Sequence, residues 1–430
     1  MILYDGTLYE TQSQDKLISE LPSRLTDTLA SNRLDIETVI NAFDALCQKL
    51  ANGELDHIIN QIDYEEKDAL IDQAIHMMSR DYLEYKVSVE LGCNGIYQDL
   101  GHSRLSAQRY PLGVIFHIAA GNMDMLPIVS IAEGLLAGNI NILKLPRVDQ
   151  GLTIEVLKYL VDFEPKLREY IYVFDTPSSD VAAMKKLADL SDGIAVWGGD
   201  EAITAVRSLA KPGTRLIEWG HKLGFCYISG DYTNFTNDLR ALADHIITTR
   251  QLLCSSCQVI YLDTTDSSTL VEFARYFLPM MEIAYARHPI LDVGAIAELS
   301  LRRYTDSLLN IVDSSDVDST TNIIKGDHTS ITVARDMEDN ALELSYMYGN
   351  VIVKALPQDK IISTLRGSKE YLQTAGLICD DANRDAIANK LFRSGIERVT
   401  PAGNMSMYYD GEAHDGEYPL LRYTRIINYI

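Results

Sequence analysis

Basic residues are scarce in this chain: 38 Lys+Arg stand against 61 Asp+Glu, a formal charge of -23 over 430 residues. So acidic a surface opposes the counterion release behind most nucleic-acid binding and repels anionic headgroups, so neither nucleic acid nor a membrane is an expected partner. Long apolar runs are missing too. The most apolar stretches, such as GVIFHIAA at 113–120, have the length of a strand and fall well short of the roughly 20 residues of a membrane helix. Six cysteines are too few for a disulfide framework at this length. Cys47, Cys93, Cys226 and Cys379 stand alone among apolar neighbours and read as buried thiols. The opening MILYDGTLYE has no basic stretch and no small-residue cleavage site, so cytoplasm is the expected location. Finally, no G-x-G-x-x-G follows any strand-like run, so the usual dinucleotide fingerprint is absent.

What is present is an ordinary folding composition, 47% hydrophobic and 23% charged, in a chain long enough for two lobes. From about 17 to 91 the apolar residues fall at helical spacing, which predicts a helical leader. A turn-rich stretch follows, and then strand-length runs at 113–118, 139–145, 170–174, 193–197 and 215–217 alternate with helical patterns at 125–136, 152–161, 179–190 and 200–209. That is βαβ grammar and predicts a doubly wound parallel sheet. A second α/β region runs from 226 to about 375, with strands at 258–262, 330–333 and 350–355 and a long helix at 270–285. The polar run DSSDVDSTTN at 313–322 predicts a surface loop.

Two local features suggest chemistry. In AVWGGDEAITAVR a buried strand meets Gly198 and Gly199 and then a helix start, which offers free N–H groups to a phosphate; a plain strand–turn–helix is the competing reading. The second is C-S-S-C at Cys254 and Cys257. One thiol can serve as a nucleophile, or the pair as a redox or metal C-x-x-C. No second Cys or His pair follows at zinc spacing, and no metal is expected.

Four segments in order, YPLGVIFHIAAGNMDMLP, GLLAGNINILKLPR, RLIEWGHKLGFCYI and RQLLCSSCQVIYLD, resemble the aldehyde dehydrogenase superfamily, and within it the acyl-CoA reductase (LuxC) branch. The ending ERVTPAGNMSMYYDGEAHDGEYPLLRYTR is similar to that branch's Arg-x-x-Pro-x-Gly and Trp-Asp-Gly region. The resemblance covers about 107–262 and 396–425. It implies an aldehyde dehydrogenase-like two-lobed α/β fold. The expected divisions are a helical leader plus a Rossmann-type NADP(H)-binding domain over 1–228, a catalytic thiol domain over 229–405, and a closing segment over 406–430 that returns to the cofactor and oligomerisation region.

Carried over residue by residue, the resemblance implies that Cys254 is the nucleophile rather than Cys257, which falls where the branch has proline. Asn122 matches the oxyanion-hole asparagine, and also reads as a helix cap. Lys144 matches the lysine that contacts the cofactor ribose. Arg147 stands near the place of the acidic residue of NAD-using members, which points to NADP(H). Gly198 and Gly199 become the pyrophosphate turn. Glu218 aligns with the glutamate that activates water in aldehyde-oxidising members; a proton-handling and a structural role are both open. His221, close by, reads as a histidine that orients Glu218 or contacts substrate, or as a structural one, and would be the base of a cofactor-free hydrolase. Glu343 has the wrong spacing for the ribose-binding acid. The implied activity is reduction of an acyl thioester, on CoA or a carrier or partner protein, to an aldehyde with NADPH through a cysteine-bound acyl group. An acyl-protein synthetase is an implied partner, and a homo-oligomer an implied assembly. Two alternatives stay open: an NAD(P)-dependent aldehyde dehydrogenase running towards the acid, and a cofactor-free cysteine acyl hydrolase or acyltransferase.

Overall fold

The computed structural model describes residues 1–31, 33–60, 67–92, 96, 106–119, 125–146, 149, 151–290, 294–297, 299–301, 304–305, 308, 321–334 and 336–429. The chain divides into two compact units, Met1–Gly220 with Tyr409–Ile430, and His221–Tyr408.

The first unit is built on a seven-stranded sheet. Its strands are β1 (Ile2–Tyr4), β2 (Thr7–Tyr9), β4 (Val114–Ile118), β5 (Ile140–Lys144), β6 (Ile171–Phe174), β7 (Gly193–Trp197) and β8 (Arg215–Trp219), while β3 (Ser106–Pro111) lies outside it. The spatial order is β2-β1-β6-β5-β4-β7-β8, and the five strands from β6 to β8 are parallel. Strands β4, β5 and β6 are buried throughout because helices cover both faces. The doubly wound sheet follows the sequence pattern; the hairpin β1–β2 does not. Asp5 and Gly6 form its two-residue turn with φ of 49° and 71°, the left-handed pair that an Asp-Gly dipeptide favours between strands. Leu3 then pairs with Val173, extending the sheet with an antiparallel edge.

The leader is helical as expected, with helices Gln14–Ser31, Ile36–Ala51, Lys67–Met78 and Arg80–Leu91. Leu17, Ile18, Leu21 and Leu25 bury one stripe of the first. Strand β3 pairs antiparallel with the closing strand Thr424–Tyr429 as a separate two-stranded sheet.

One buried polar group fixes the packing beneath β4. His117 accepts from the Ser130 hydroxyl at Nδ1 (2.8 Å) and donates from Nε2 to Asn141 Oδ1 (2.9 Å), while the Asn141 amide donates to Asn139 O. Burial pushes the His117 imidazole down to about 4, so the ring is neutral. Gly134, on helix Leu126–Leu136, sits directly on this pair: a Cβ there would lie 1.9 Å from Asn141 Oδ1.

The second unit carries β9 (Leu223–Ile228), β10 (Cys257–Leu262), β11 (Thr321–Lys325), β12 (Ser330–Ala334), β13 (Asn350–Ala355), β14 (Leu372–Ile378) and β15 (Arg398–Thr400), in the order β11-β12-β13-β10-β9-β14-β15. All neighbours are parallel except β11–β12. Strand β9, placed by the sequence at the end of the first domain, pairs with β10 and β14 and so lies inside the second sheet, next to its central strand β10. Only three residues separate it from β8, and so short a link hides a change of sheet. Most of the polar run 313–322 lies outside the described residues; its last two residues open β11.

Candidate active site

The turn bearing Cys254 joins helix Thr236–Thr248 to the amino end of β10. It starts with two non-glycine residues in left-handed backbone, Arg250 (φ 51°) and Gln251 (φ 60°). Such positions cost of order 1–3 kcal/mol each and persist only where surrounding contacts enforce them. Here the buried Gln251 side chain supplies those contacts. Its Nε2 donates to Cys257 O (2.9 Å) and Ser345 Oγ (3.0 Å), and its Oε1 accepts from Gly349 N (3.0 Å). Gln258 donates to Gln251 O (2.8 Å) and accepts from Ser345 Oγ (2.7 Å). The facing segment is itself left-handed at Met347, Tyr348 and Gly349, and Tyr348 N donates to Arg250 O (3.0 Å). Two strained turns thus lock one another.

Beyond Gln251 the turn presents its two thiols differently. Cys254 is exposed. Gln373 Nε2, near the amino end of β14, donates to its Sγ at 3.5 Å. Cys257 is fully buried as the first residue of β10, and burial pushes its thiol up. Ser256 is buried and accepts from Leu253 N (3.1 Å), while Ser255 Oγ meets Ser406 Oγ at 2.9 Å. Ser406 is held in turn by Arg398, which donates to Met405 O (2.6 Å) and to Met407 O on either side of it. The Arg-x-x-Pro-x-Gly motif of Arg398, Pro401 and Gly403 therefore buttresses the thiol turn. Gly403 packs so closely on the helix before that turn that a Cβ would lie 2.6 Å from the Ala241 Cβ.

His245 lies on the same helix. Burial, aided by the Arg398 charge, pushes its imidazole down to about 4, so it is neutral at working pH. The apolar side chains of Leu252, Leu253, Leu344, Tyr346 and Met407 are exposed, next in sequence to the residues that tie the turn.

Gly224 makes the close approach possible. A Cβ on this β9 residue would lie 2.6 Å from Ser256 O and 2.7 Å from Ser255 O, backbone atoms that cannot swing aside. Gly224→Ala is therefore expected to push the turn off β9 and to cost about 1–3 kcal/mol of stability, as overpacking against atoms that cannot move does, read from urea midpoints. A midpoint equal to wild type would contradict this.

The other sequence candidates separate by unit. Lys144 ends β5 and is buried; desolvation lowers its ammonium, opposed by the Asp175 charge. Gly198 and Gly199 follow β7, and Gly199 precedes helix Asp200–Leu209 with no side-chain cap. Strands β5 and β7 flank β4, where the strand order reverses; Lys144 and Val196 both pair with Ile118 of β4, so Lys144 and the glycine turn after Trp197 lie at the carboxyl ends of a topological switch point. A Cβ at Gly199 would meet nothing within 4 Å, leaving its backbone open to a ligand. Glu218, on β8, receives two bonds from Arg207: Nε to Oε1 at 2.6 Å and Nη2 to Oε2 at 2.7 Å. His221 lies in the second unit, its ring edge-on to Tyr371 at 6.2 Å. Glu343, unsuited by spacing, pairs with the buried Lys354 ammonium at 2.5 Å. Asn122 and Arg147 lie outside the described residues. Among the described residues, no group of three or more His, Cys, Asp or Glu is gathered for a metal ion, and no helix is long and apolar enough to cross a membrane.

The sequence profile of the acyl-CoA reductase (LuxC) family matches residues 31–426. The chain belongs to this family. It is 24% identical over 430 residues to the long-chain acyl-protein thioester reductase of Photorhabdus laumondii, covering 94% of this chain and 84% of that one. The enzyme of the same name from Vibrio harveyi is 22% identical over 422 residues, covering 93% and 83%. Among solved structures, betaine aldehyde dehydrogenase from Staphylococcus aureus in complex with NAD+ matches with a TM-score of 0.67 at 14% identity, over 96% of this chain and 87% of that one. The fold of this LuxC-family chain is aldehyde dehydrogenase-like, as the motifs implied.

Sequence reasoning missed the groups that hold the thiol turn. Gln251 and Gln258 lay in the quoted segment RQLLCSSCQVIYLD but carry no motif of their own. Gly224 had a usable signal, since a glycine inside an apolar strand marks close backbone approach. Gln373 had none.

Proposed function

We propose that this chain reduces an acyl thioester to an aldehyde, with Cys254 as nucleophile and NADPH as reductant. The observation that carries the reading is the exposed Cys254 thiol on a strained, buttressed turn, beside a Cys257 thiol that is buried; the names of the relatives support the substrate class. The cysteine sulfur attacks the thioester carbonyl, a sulfur–carbon bond forms, and the thiol of CoA or of a carrier protein leaves. Covalent capture splits one difficult displacement into two easier steps. The exposed apolar side chains around the turn suit an acyl chain. Asn122 remains the proposed oxyanion donor, alongside the Cys254 N–H.

The switch point of the first sheet fits a nicotinamide dinucleotide, with Lys144 on the ribose and the Gly198–Gly199 backbone on the pyrophosphate. When bound, the cofactor supplies the hydride. Arg147 remains the proposed partner of a 2′-phosphate. Of the two readings of Glu218, the bidentate pair with Arg207 supports anchoring of β8 to the following helix. A carboxylate so tied is poorly placed to activate water, which favours reduction over oxidation to an acid. The acyl-protein names of the relatives favour a protein-bound donor and an acyl-protein synthetase as its source. Self-association is assigned to the two-stranded sheet, where Ile426 and Tyr429 are exposed.

The test is a panel of acyl-CoA and acyl-protein donors, followed by NADPH absorbance. Aldehyde formation matching NADPH loss is expected, with NADH the weaker reductant. Oxidation of aldehydes with no thioester reduction would overturn the reading, as would acyl hydrolysis without cofactor.

A further inference from the structure

We propose that Gln373 is a catalytic residue, whose side-chain amide donates to the Cys254 sulfur and stabilises it as the attacking thiolate; this rests on the assignment of Cys254 as nucleophile. The amide nitrogen lies 3.5 Å from Sγ, within reach for the larger sulfur acceptor. Its orientation is fixed. Thr374 Oγ1 donates to Gln373 Oε1 at 3.2 Å, which turns the amino end towards the thiol. The backbone is fixed as well, since Gln373 O accepts from Glu397 N (3.1 Å) and the next residue, Thr374, pairs with Arg398 in β15. Gln373 is buried, whereas Cys254 is exposed.

This arrangement separates two jobs. An amide neither takes nor gives the thiol proton, so the proton leaves to solvent on the open side of Cys254. A donor bonds a charged acceptor more strongly than a neutral one, so the contact favours the thiolate over the thiol. The reaction then balances without further groups: the sulfur lone pair forms the bond to the acyl carbon, the bond from that carbon to the departing sulfur breaks, and the departing thiolate takes a proton from solvent. The strand order β10-β9-β14 makes the contact available, because it sets the turn before β10 and the start of β14 on either side of the amino end of β9.

The experiment measures the rate of iodoacetamide labelling of Cys254 against pH in wild type, Gln373→Leu and Gln373→Glu, with the labelled residue identified by peptide fragmentation. Leucine removes the donor, and the midpoint of the profile is expected to rise by about one unit, which is about a tenfold loss of rate at pH 7. Glutamate keeps the shape but sets a carboxylate against the sulfur, so a larger upward shift is expected. It also carries the test if the leucine variant fails to fold. A residue that merely braces the turn would lower the rate by the same factor at every pH; an unmoved midpoint in either folded variant overturns the proposal. Labelling needs neither acyl donor nor cofactor. If wild type takes no acyl group yet the midpoint moves, the assigned reaction fails and the amide–thiolate contact stands. Acylation of wild type with an unmoved midpoint removes the role of Gln373 alone.

Discussion

Cys254→Ser is expected to lower aldehyde formation by at least on the order of 10³-fold, because a hydroxyl at neutral pH lacks the ionised fraction and nucleophilicity of a thiol. Wild type incubated with an acyl thioester and no reductant should gain one acyl mass, and the serine variant none. Trypsin cuts after Arg250 and Arg275, which leaves Cys254 and Cys257 on one peptide, so the site of addition must be read from its fragments. Cys257→Ala is the matched control. Its sulfur is buried at the start of β10 and donates to Val259 O at 3.4 Å, so truncation should cost about 1 kcal/mol of stability and leave the rate within a few-fold of wild type. A Cys254→Ser protein that still consumes NADPH, or a Cys257→Ala protein that alone is inactive, would exchange the roles of the two sulfurs.

The sequence exposed the parts of this molecule that follow from local periodicity. Strands β4 to β8 and the helices between them alternate as apolar runs and 3.6-residue patterns, because each element must bury a face against the same sheet. The hairpin β1–β2 also had a local signal, Asp-Gly between ILY and TLY, but strands of three residues are too short to show alternation clearly. Other features depend on strand order, which no local pattern encodes. Gln373 reaches Cys254 across 119 positions of sequence only because β14 and β10 both neighbour β9. Likewise, Lys354 explains Glu343 through an ion pair in the folded state. Glu218 was visible as a strand-end carboxylate, but its pairing with Arg207, eleven residues away, shows only in the folded chain. The C-S-S-C motif showed two candidate thiols. What leaves Cys254 exposed and Cys257 buried is the position of β10, whose first residue points into the core.

The helical leader is integral to the first unit, and Lys86→Met should show this as a loss of about 3–5 kcal/mol, the usual consequence of removing one partner from a buried ionic group. Lys86, on helix Arg80–Leu91, is buried and lies 2.6 Å from Glu90 and 3.1 Å from Glu133 of helix Leu126–Leu136. Glu90 also accepts from Leu420 N (2.7 Å) at the start of the short closing helix Pro419–Arg422. One ammonium therefore ties leader, sheet-covering helix and closing segment together while facing two carboxylates. Desolvation raises the Glu133 carboxyl above 4.5, with the attraction of Lys86 opposing that rise. A carboxyl raised in the folded state contributes stability below its unfolded value, and that contribution is lost as pH climbs through the folded value. Without Lys86 nothing opposes the rise, so the penalty for ionising Glu133 grows with pH. The gap between wild type and Lys86→Met should consequently be widest at pH 8 and narrow towards pH 5, as read from urea midpoints at the two values. Glu133→Gln leaves one carboxylate to one ammonium and should stay close to wild type at both. A gap below about 1 kcal/mol, or one that does not change with pH, would mean that the leader is held by its apolar stripes alone.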